Sequence, residues 1–504
     1  MVGGMGGWES LRGGANGGKF GGRGKKCYLC GLIRIIIVMQ FDTYTYALFL
    51  PLVFFIYWGL RRHLRWQNLF LLVASYVFYG WWDWRMLGLI VFTSFTTWCS
   101  AMLMRGDRSR HDRVWCGLNI VVNLGILCVF KYLNFLRDSF VHLLGLFGLS
   151  PDWPTLSILL PVGISFYTFQ AISYTIDVYR GDVKPTRDVV AFGVFIAFFP
   201  QLVAGPIERA SNLLPQFLRK KTFDYATAVV GMRQILWGLG KKVIIADGVG
   251  HYVDQLLANP YSYSATSMVW AGILFAVQIY ADFSGYSDIA IGSARLLNIR
   301  LLPNFRFPFF SRDMKELWQR WHISLMTWFR HYVYFPLGGS RRGKWRTALN
   351  TMIVFSLSGL WHGADWTFVI WGTVNGLLLL PFVFRPRPRH PNDDATWREL
   401  PRCLLTFLIF AAVFLVFRAN GITHLGQICD VMVHGSWLAL PEFVDALYYI
   451  VPFFVIEWFG RHQEFPLARM PFPRVVRWLV YWGLLAGIAL ASLDYSTQFI
   501  YFQF

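Results

Sequence analysis

Acidic residues are scarce in this chain. Asp and Glu number 28 against 47 Lys and Arg, and charged residues of both signs fill only 15% of its 504 positions. A soluble domain usually carries about 25%. With 55% hydrophobic and 18% aromatic residues, there is too little polar surface to cover a water-soluble fold, so the bilayer must be part of the solvent. Several chemistry-bearing motifs are also missing. There is no phosphate-cradling P-loop, no G-x-S-x-G elbow, no H-E-x-x-H and no G-x-G-x-x-G after a strand. No internal repeat is visible, which weighs against transporter folds built from duplicated halves. The seven cysteines are scattered. Cys99, Cys128 and Cys403 lie in or near apolar runs and read as buried neutral thiols, and Cys27-Tyr-Leu-Cys30 is a lone pair with weak metal or redox meaning.

The basic residues are present in short clusters between apolar runs. They include Arg61-Arg62 with Arg65, Arg105 through Arg113, Arg219-Lys220-Lys221, Arg341 through Arg346 and Arg461 through Arg477. This is the positive-inside pattern of cytoplasmic loops. The formal net charge of +19 is therefore read as membrane topology, with no nucleic-acid partner. Residues 1–38 are glycine-rich, with six basic residues against Glu9 alone. They are expected to be a disordered leader or an over-long start, with Met39 the initiator, ahead of one membrane-embedded domain over 39–504.

From Gln40 onward, run lengths predict about nine to twelve passes, at about 20 apolar residues each. Segment 188–208 breaks the inside–outside alternation if it spans. It ends in Ala204-Gly205-Pro206, which suits a re-entrant turn lining a cavity. The weakly charged loops 143–158, 248–265 and 421–441 are expected to face outward.

Polar residues inside apolar runs are costly and therefore informative. Trp361-His362-Gly363-Ala364-Asp365-Trp366 sits within the apolar stretch 347–382, which is too long for one straight span. His362 is thus expected beside a break. A neutral imidazole in a dry pocket suits a general base, and a structural histidine bonded to a backbone carbonyl is an equal alternative. In Trp318-Gln319-Arg320-Trp321-His322-Ile323-Ser324, an interfacial helix would pair Glu316 with Arg320 and put Trp318 and His322 on one face. Taken alone, His322 reads as an interfacial histidine facing water. In Asp282-Phe283-Ser284-Gly285-Tyr286-Ser287-Asp288 the acids lie six apart and do not share a helical face. Capping and buried hydrogen bonding around a glycine break are expected there, rather than paired-carboxylate catalysis.

These clusters, with Phe199-Pro200-Gln201-Leu202-Val203-Ala204-Gly205-Pro206-Ile207, Gly238-Leu239-Gly240-Lys241-Lys242, Tyr334-Phe335-Pro336-Leu337-Gly338-Gly339 and Leu360-Trp361-His362-Gly363, occur in an order that resembles the membrane-bound O-acyltransferase superfamily. The resemblance runs from about Met39 to the C-terminus. It is strongest to the bacterial branch that contains the alginate O-acetylation membrane protein.

The resemblance implies an all-α polytopic fold, a ring of tilted helices with re-entrant or interfacial helices around a central tunnel. It implies that His362 is the catalytic histidine and that His322 holds the second active-site position. It further implies acyl transfer, with acetyl the expected group, for O-acetylation of an extracytoplasmic polysaccharide, from acetyl-CoA or another acyl thioester. No tightly bound cofactor or metal is implied. An extracytoplasmic acetyltransferase or esterase-like partner and an inner-membrane location are. Peptidoglycan O-acetylation, teichoic-acid D-alanylation and a glycan transporter or flippase are the competing readings. Two positions depart from the family pattern. His331 stands where Arg-Asp-Tyr is usual, and Asp365 stands where Asn often follows His-Gly-Ala.

Overall fold

Several of the few acids sit where helices begin. The Asp188 carboxylate accepts from the N–H groups of Val190 and Ala191 at 3.0 Å each. Asp224 accepts from Ala226 N–H at 3.0 Å and Asp313 from Glu316 N–H at 2.9 Å. Each such cap satisfies a backbone donor that has no intrahelical partner and is worth about 1 kcal/mol. In this computed structural model the described residues are 39–385, apart from 150, 152, 157 and 204, together with 394–494 and 499–500. The expectation for 1–38, with its Cys27–Cys30 pair, lies outside them. Among the described residues the regular structure is entirely helical.

Among the described residues six helices are long and apolar enough to cross a membrane: Leu64–Leu103, Arg110–Gly145, Ala265–Leu296, Trp366–Phe384, Trp397–Arg418 and Arg474–Leu493. The chain is a multi-pass membrane protein. Fewer helices qualify than the expected passes because several apolar runs fold as shorter pieces, such as Tyr44–Gly59 with 16 residues. Leu64–Leu103 is broken at Asp83, where φ −156° and ψ 109° turn the chain out of the helix. The segment 188–208 forms two short helices, Val189–Ala197 and Phe199–Leu202, too short together to span. No part of the 18-residue apolar window within Arg474–Leu493 is buried in the protein, as expected of a helix facing lipid. Cys403 is buried and donates its S–H to Phe310 O at 3.3 Å, but Cys99 and Cys128 are only half-buried, since their helices present that side toward the periphery.

The Ala265–Leu296 helix is the inner post, with 83% of its apolar window buried. It packs on the Tyr225–Leu239 helix through interlocked glycines. A Cβ at Gly238 would lie 2.6 Å from Gly285 O, and one at Gly285 would lie 2.8 Å from Gly238 O. Gly231 and Gly292 repeat the arrangement one heptad away on each helix, at 2.8 and 2.6 Å. Small residues thus bring two backbones into contact, as in membrane helix pairs generally. The expected glycine break is absent, because the helix runs straight through Gly285; Gly285 serves close approach instead. The same contact aligns two sequence motifs with each other. Lys242 Nζ lies 2.8 Å from Asp247 and 3.0 Å from Asp282, and Lys241 Nζ lies 2.6 Å from Asp288. Asp282 and Asp288 are structural counter-ions, and removing one partner of such a buried pair typically costs about 3–5 kcal/mol.

Gly285→Val is expected to destabilise the protein by about 1–3 kcal/mol or more, since backbone atoms on both sides block the added side chain. Thermal unfolding in detergent measures this, and an unchanged midpoint would contradict the packing described.

Candidate active site

The helix Lys344–His362 ends on the histidine, and the next helix starts after Asp365. Gly363 makes the turn possible, because a Cβ there would fall 2.0 Å from the Phe368 ring. Asp365 accepts from Thr367 N–H at 2.8 Å and caps the returning helix. Asn caps as well as Asp, so the departure at this position leaves the turn unchanged. The two helices touch at Gly359 and Gly372, where added Cβ atoms would lie 2.1 Å from Phe368 O and 2.2 Å from Phe355 O. The break expected beside His362 is therefore a tight helical hairpin. His362 is 5% exposed.

His322 departs from its expectation. It is 1% exposed, not an interfacial residue facing water. The helix Met314–Arg320 stops at Trp321, and His322 adopts φ 44° and ψ 51° before Ile323–Phe329 begins. Trp318 and His322 therefore do not share one helical face. Left-handed backbone at a non-glycine residue is strained and persists only where the surroundings enforce it. A strap centred on Asn304 does so. Ile323 N–H donates to Asn304 O at 2.8 Å, Ser324 Oγ donates to Asn304 Oδ1 at 2.6 Å, and Asn304 Nδ2 donates to Ser287 Oγ at 3.0 Å. Ser324 also accepts from Ile207 N–H at 3.0 Å, which ties in the stretch after the Phe199–Leu202 helix.

The two imidazole rings lie with centroids 6.1 Å apart and their planes tilted by 48°. The walls are aromatic: Phe283 lies edge-on to His322 at 4.7 Å, and Trp361, Trp371 and Phe417 lie 5.0, 5.3 and 5.4 Å from His362. Such a chamber excludes water and strengthens the electrostatic interactions within it. The buried indole N–H groups of Trp318, Trp361 and Trp371 have no hydrogen-bond partner among the described residues.

A cavity of about 860 Å³ is lined by Arg306, Lys315, Trp318, Thr327, Arg330 and Phe355 among others. Trp318 joins cavity to chamber, since its ring lies 5.8 Å from that of Trp371. The expected Glu316–Arg320 pair forms at 2.8 Å, and Arg312 holds the same carboxylate oxygen at 2.8 Å. Burial alone would raise the Glu316 carboxyl, but its bonds to Arg312 and its attraction to Arg320 outweigh burial and keep it below the usual range. His331 lies on the π-helical turn Arg330–Tyr334. Its Nδ1 is 2.8 Å from Thr327 O, and its own carbonyl accepts from Arg180 at 3.3 Å.

Sequence reasoning passed over Lys131 and Tyr132. Lys131 Nζ donates to the carbonyls of Trp361 and His362 at 2.7 and 2.9 Å, and Tyr132 OH donates to Leu360 O at 3.0 Å. A lysine inside the apolar run 114–135 was the available signal.

Comparison with known proteins gives several matches. The membrane-bound O-acyltransferase family matches residues 187–401. A probable alginate O-acetylase of Azotobacter vinelandii is 41% identical, over 77% of each chain. One of Pseudomonas putida is 35% identical, over 91% of this chain and 98% of its own. A peptidoglycan O-acetyltransferase of Helicobacter pylori is 31% identical, over 82% of this chain and 83% of its own.

Proposed function

Because this chain belongs to the membrane-bound O-acyltransferase family and is an O-acyltransferase, we propose that it carries acetyl from a cytoplasmic thioester to an extracytoplasmic polysaccharide, alginate-like in kind. The observation that carries this reading is the buried pair His362 and His322, with ring centroids 6.1 Å apart, near a cation-lined cavity whose Trp318 packs on Trp371 of the histidine surroundings. A thioester such as acetyl-CoA cannot cross a bilayer, so donor and acceptor must meet inside it. The cationic rim of Arg306, Lys315 and Arg330 suits the phosphates of such a donor.

In the reaction the acceptor hydroxyl oxygen attacks the thioester carbonyl, and His362 takes its proton, directly or through water. The tetrahedral oxyanion is stabilised by His322 or by the buried indole N–H groups; His322 alternatively orients the hydroxyl. Collapse breaks the carbon–sulfur bond, and the thiolate receives the proton from His362, leaving an ester and a thiol. General-base assistance of this kind is worth about 10²–10⁴-fold. No resident cofactor takes part. The immediate acceptor is the polysaccharide or a separate extracytoplasmic acetyltransferase that passes acetyl on, and the working location is the inner membrane. The relatives' names motivate the acceptor, with alginate first and peptidoglycan second.

Deleting the gene is expected to remove O-acetyl from exopolysaccharide and leave peptidoglycan acetylation intact, as read by chemical acetyl analysis of both polymers. Loss confined to peptidoglycan would replace the acceptor proposed here.

A further inference from the structure

The helix Arg110–Gly145 is interrupted by a π-helical turn, Cys128–Tyr132. On a regular α-helix two successive side chains point about 100° apart. Here both Lys131 and Tyr132 reach the last turn of Lys344–His362. Between them they donate to three consecutive carbonyls, those of Leu360, Trp361 and His362. Those carbonyls belong to a helix C-terminus, where intrahelical donors run out. The chain turns away at Gly363, and inside a membrane no water replaces the missing partners.

We propose that Lys131 is a positioning residue for His362: its ammonium fixes the helix end that carries the imidazole. A neutral donor such as Tyr132 satisfies one carbonyl. The ammonium adds two things. It forks onto two carbonyls at 2.7 and 2.9 Å, and it places a positive charge at the negative end of the helix dipole. Its Nζ also stands 6.0 Å from the centre of the Trp361 ring, so the residue before His362 is held through both backbone and side chain. The histidine pair depends on this anchoring. His322 is fixed by the Asn304 strap on one side, and His362 comes from a different hairpin on the other. Their 6.1 Å separation is set by two independent supports, and Lys131 is part of the second. Misplacing a reacting group by about 1 Å can cost as much as 10²-fold in rate, which gives a costly buried lysine a reason to be there.

The proposal rests on His362 being the base, so the test includes His362→Ala. Membranes carrying the full chain are given labelled acetyl-CoA, and kcat and donor KM are measured for Lys131→Met, Lys131→Arg and Tyr132→Phe. Lys131→Met is expected to lower kcat about tenfold with donor KM unchanged. Lys131→Arg, which keeps a forked charged donor, is expected to restore most of the rate, and Tyr132→Phe to lose less than Lys131→Met. A second readout does not need turnover: modification of His362 by diethyl pyrocarbonate, followed by mass spectrometry, should change in Lys131→Met and return in Lys131→Arg. Wild-type kcat and wild-type His362 modification in Lys131→Met would overturn the proposal. So would an equal kcat loss in Lys131→Met and Lys131→Arg, or a loss expressed in donor KM alone. If His362→Ala is inactive while Lys131→Met matches wild type, only the role of Lys131 falls. If His362→Ala keeps its activity, the base assignment falls.

Discussion

His362→Ala is expected to lower acetyl transfer at least about a hundredfold, the lower end of what a positioned general base supplies. The protein should still insert and purify. The turn around position 362 is set by Gly363, by the Asp365 cap and by the contact of Gly359 with Gly372, none of which uses the imidazole. Turnover of labelled acetyl in membranes, beside thermal unfolding in detergent, separates lost chemistry from lost fold. Activity within about threefold of wild type would remove the base role, because the effect would fall far short of general-base magnitudes.

His322→Ala is expected to lower turnover about a hundredfold, the cost of removing one stabilising donor from an oxyanion site. His322→Asn should retain more activity than His322→Ala. Asparagine tolerates the left-handed backbone better than most residues, which suits φ 44° here, and it keeps a side-chain N–H. Because the Asn304 strap bonds the backbone at Ile323 and the side chain of Ser324, neither variant should change the strap. Equal turnover in wild type and His322→Ala would leave the residue with a packing role only.

The parts legible in the sequence were those written in neighbouring residues. A histidine in an apolar stretch too long for one span pointed to a break, and the Lys344–His362 and Trp366–Phe384 helices meet there. The six-residue spacing of Asp282 and Asp288 argued against a carboxylate pair, and each in fact answers its own lysine. What stayed hidden was set by partners distant in sequence. His322 looked helical and interfacial because Glu316, Trp318 and Arg320 have helical spacing. Its turn and burial come from Asn304 and Ser287, which no local pattern connects to it. Gly285 looked like a break because glycine is a poor helix former; its use as a contact for Gly238 depends on a second helix. Lys131 was hidden by the π-turn, which gives it and Tyr132 a common partner that α-helical periodicity would not predict.

On the proposed mechanism acetyl enters from the cytoplasmic side and leaves on the other. The most direct test uses sealed membrane vesicles of known orientation, with labelled acetyl-CoA confined to the outside. Inside-out vesicles, which present the cytoplasmic face and, on the proposed orientation, the cation-lined cavity, should accumulate labelled acetyl ester on luminal acceptor. Right-side-out vesicles should do so only after permeabilisation. Equal transfer by intact vesicles of both orientations would contradict the account.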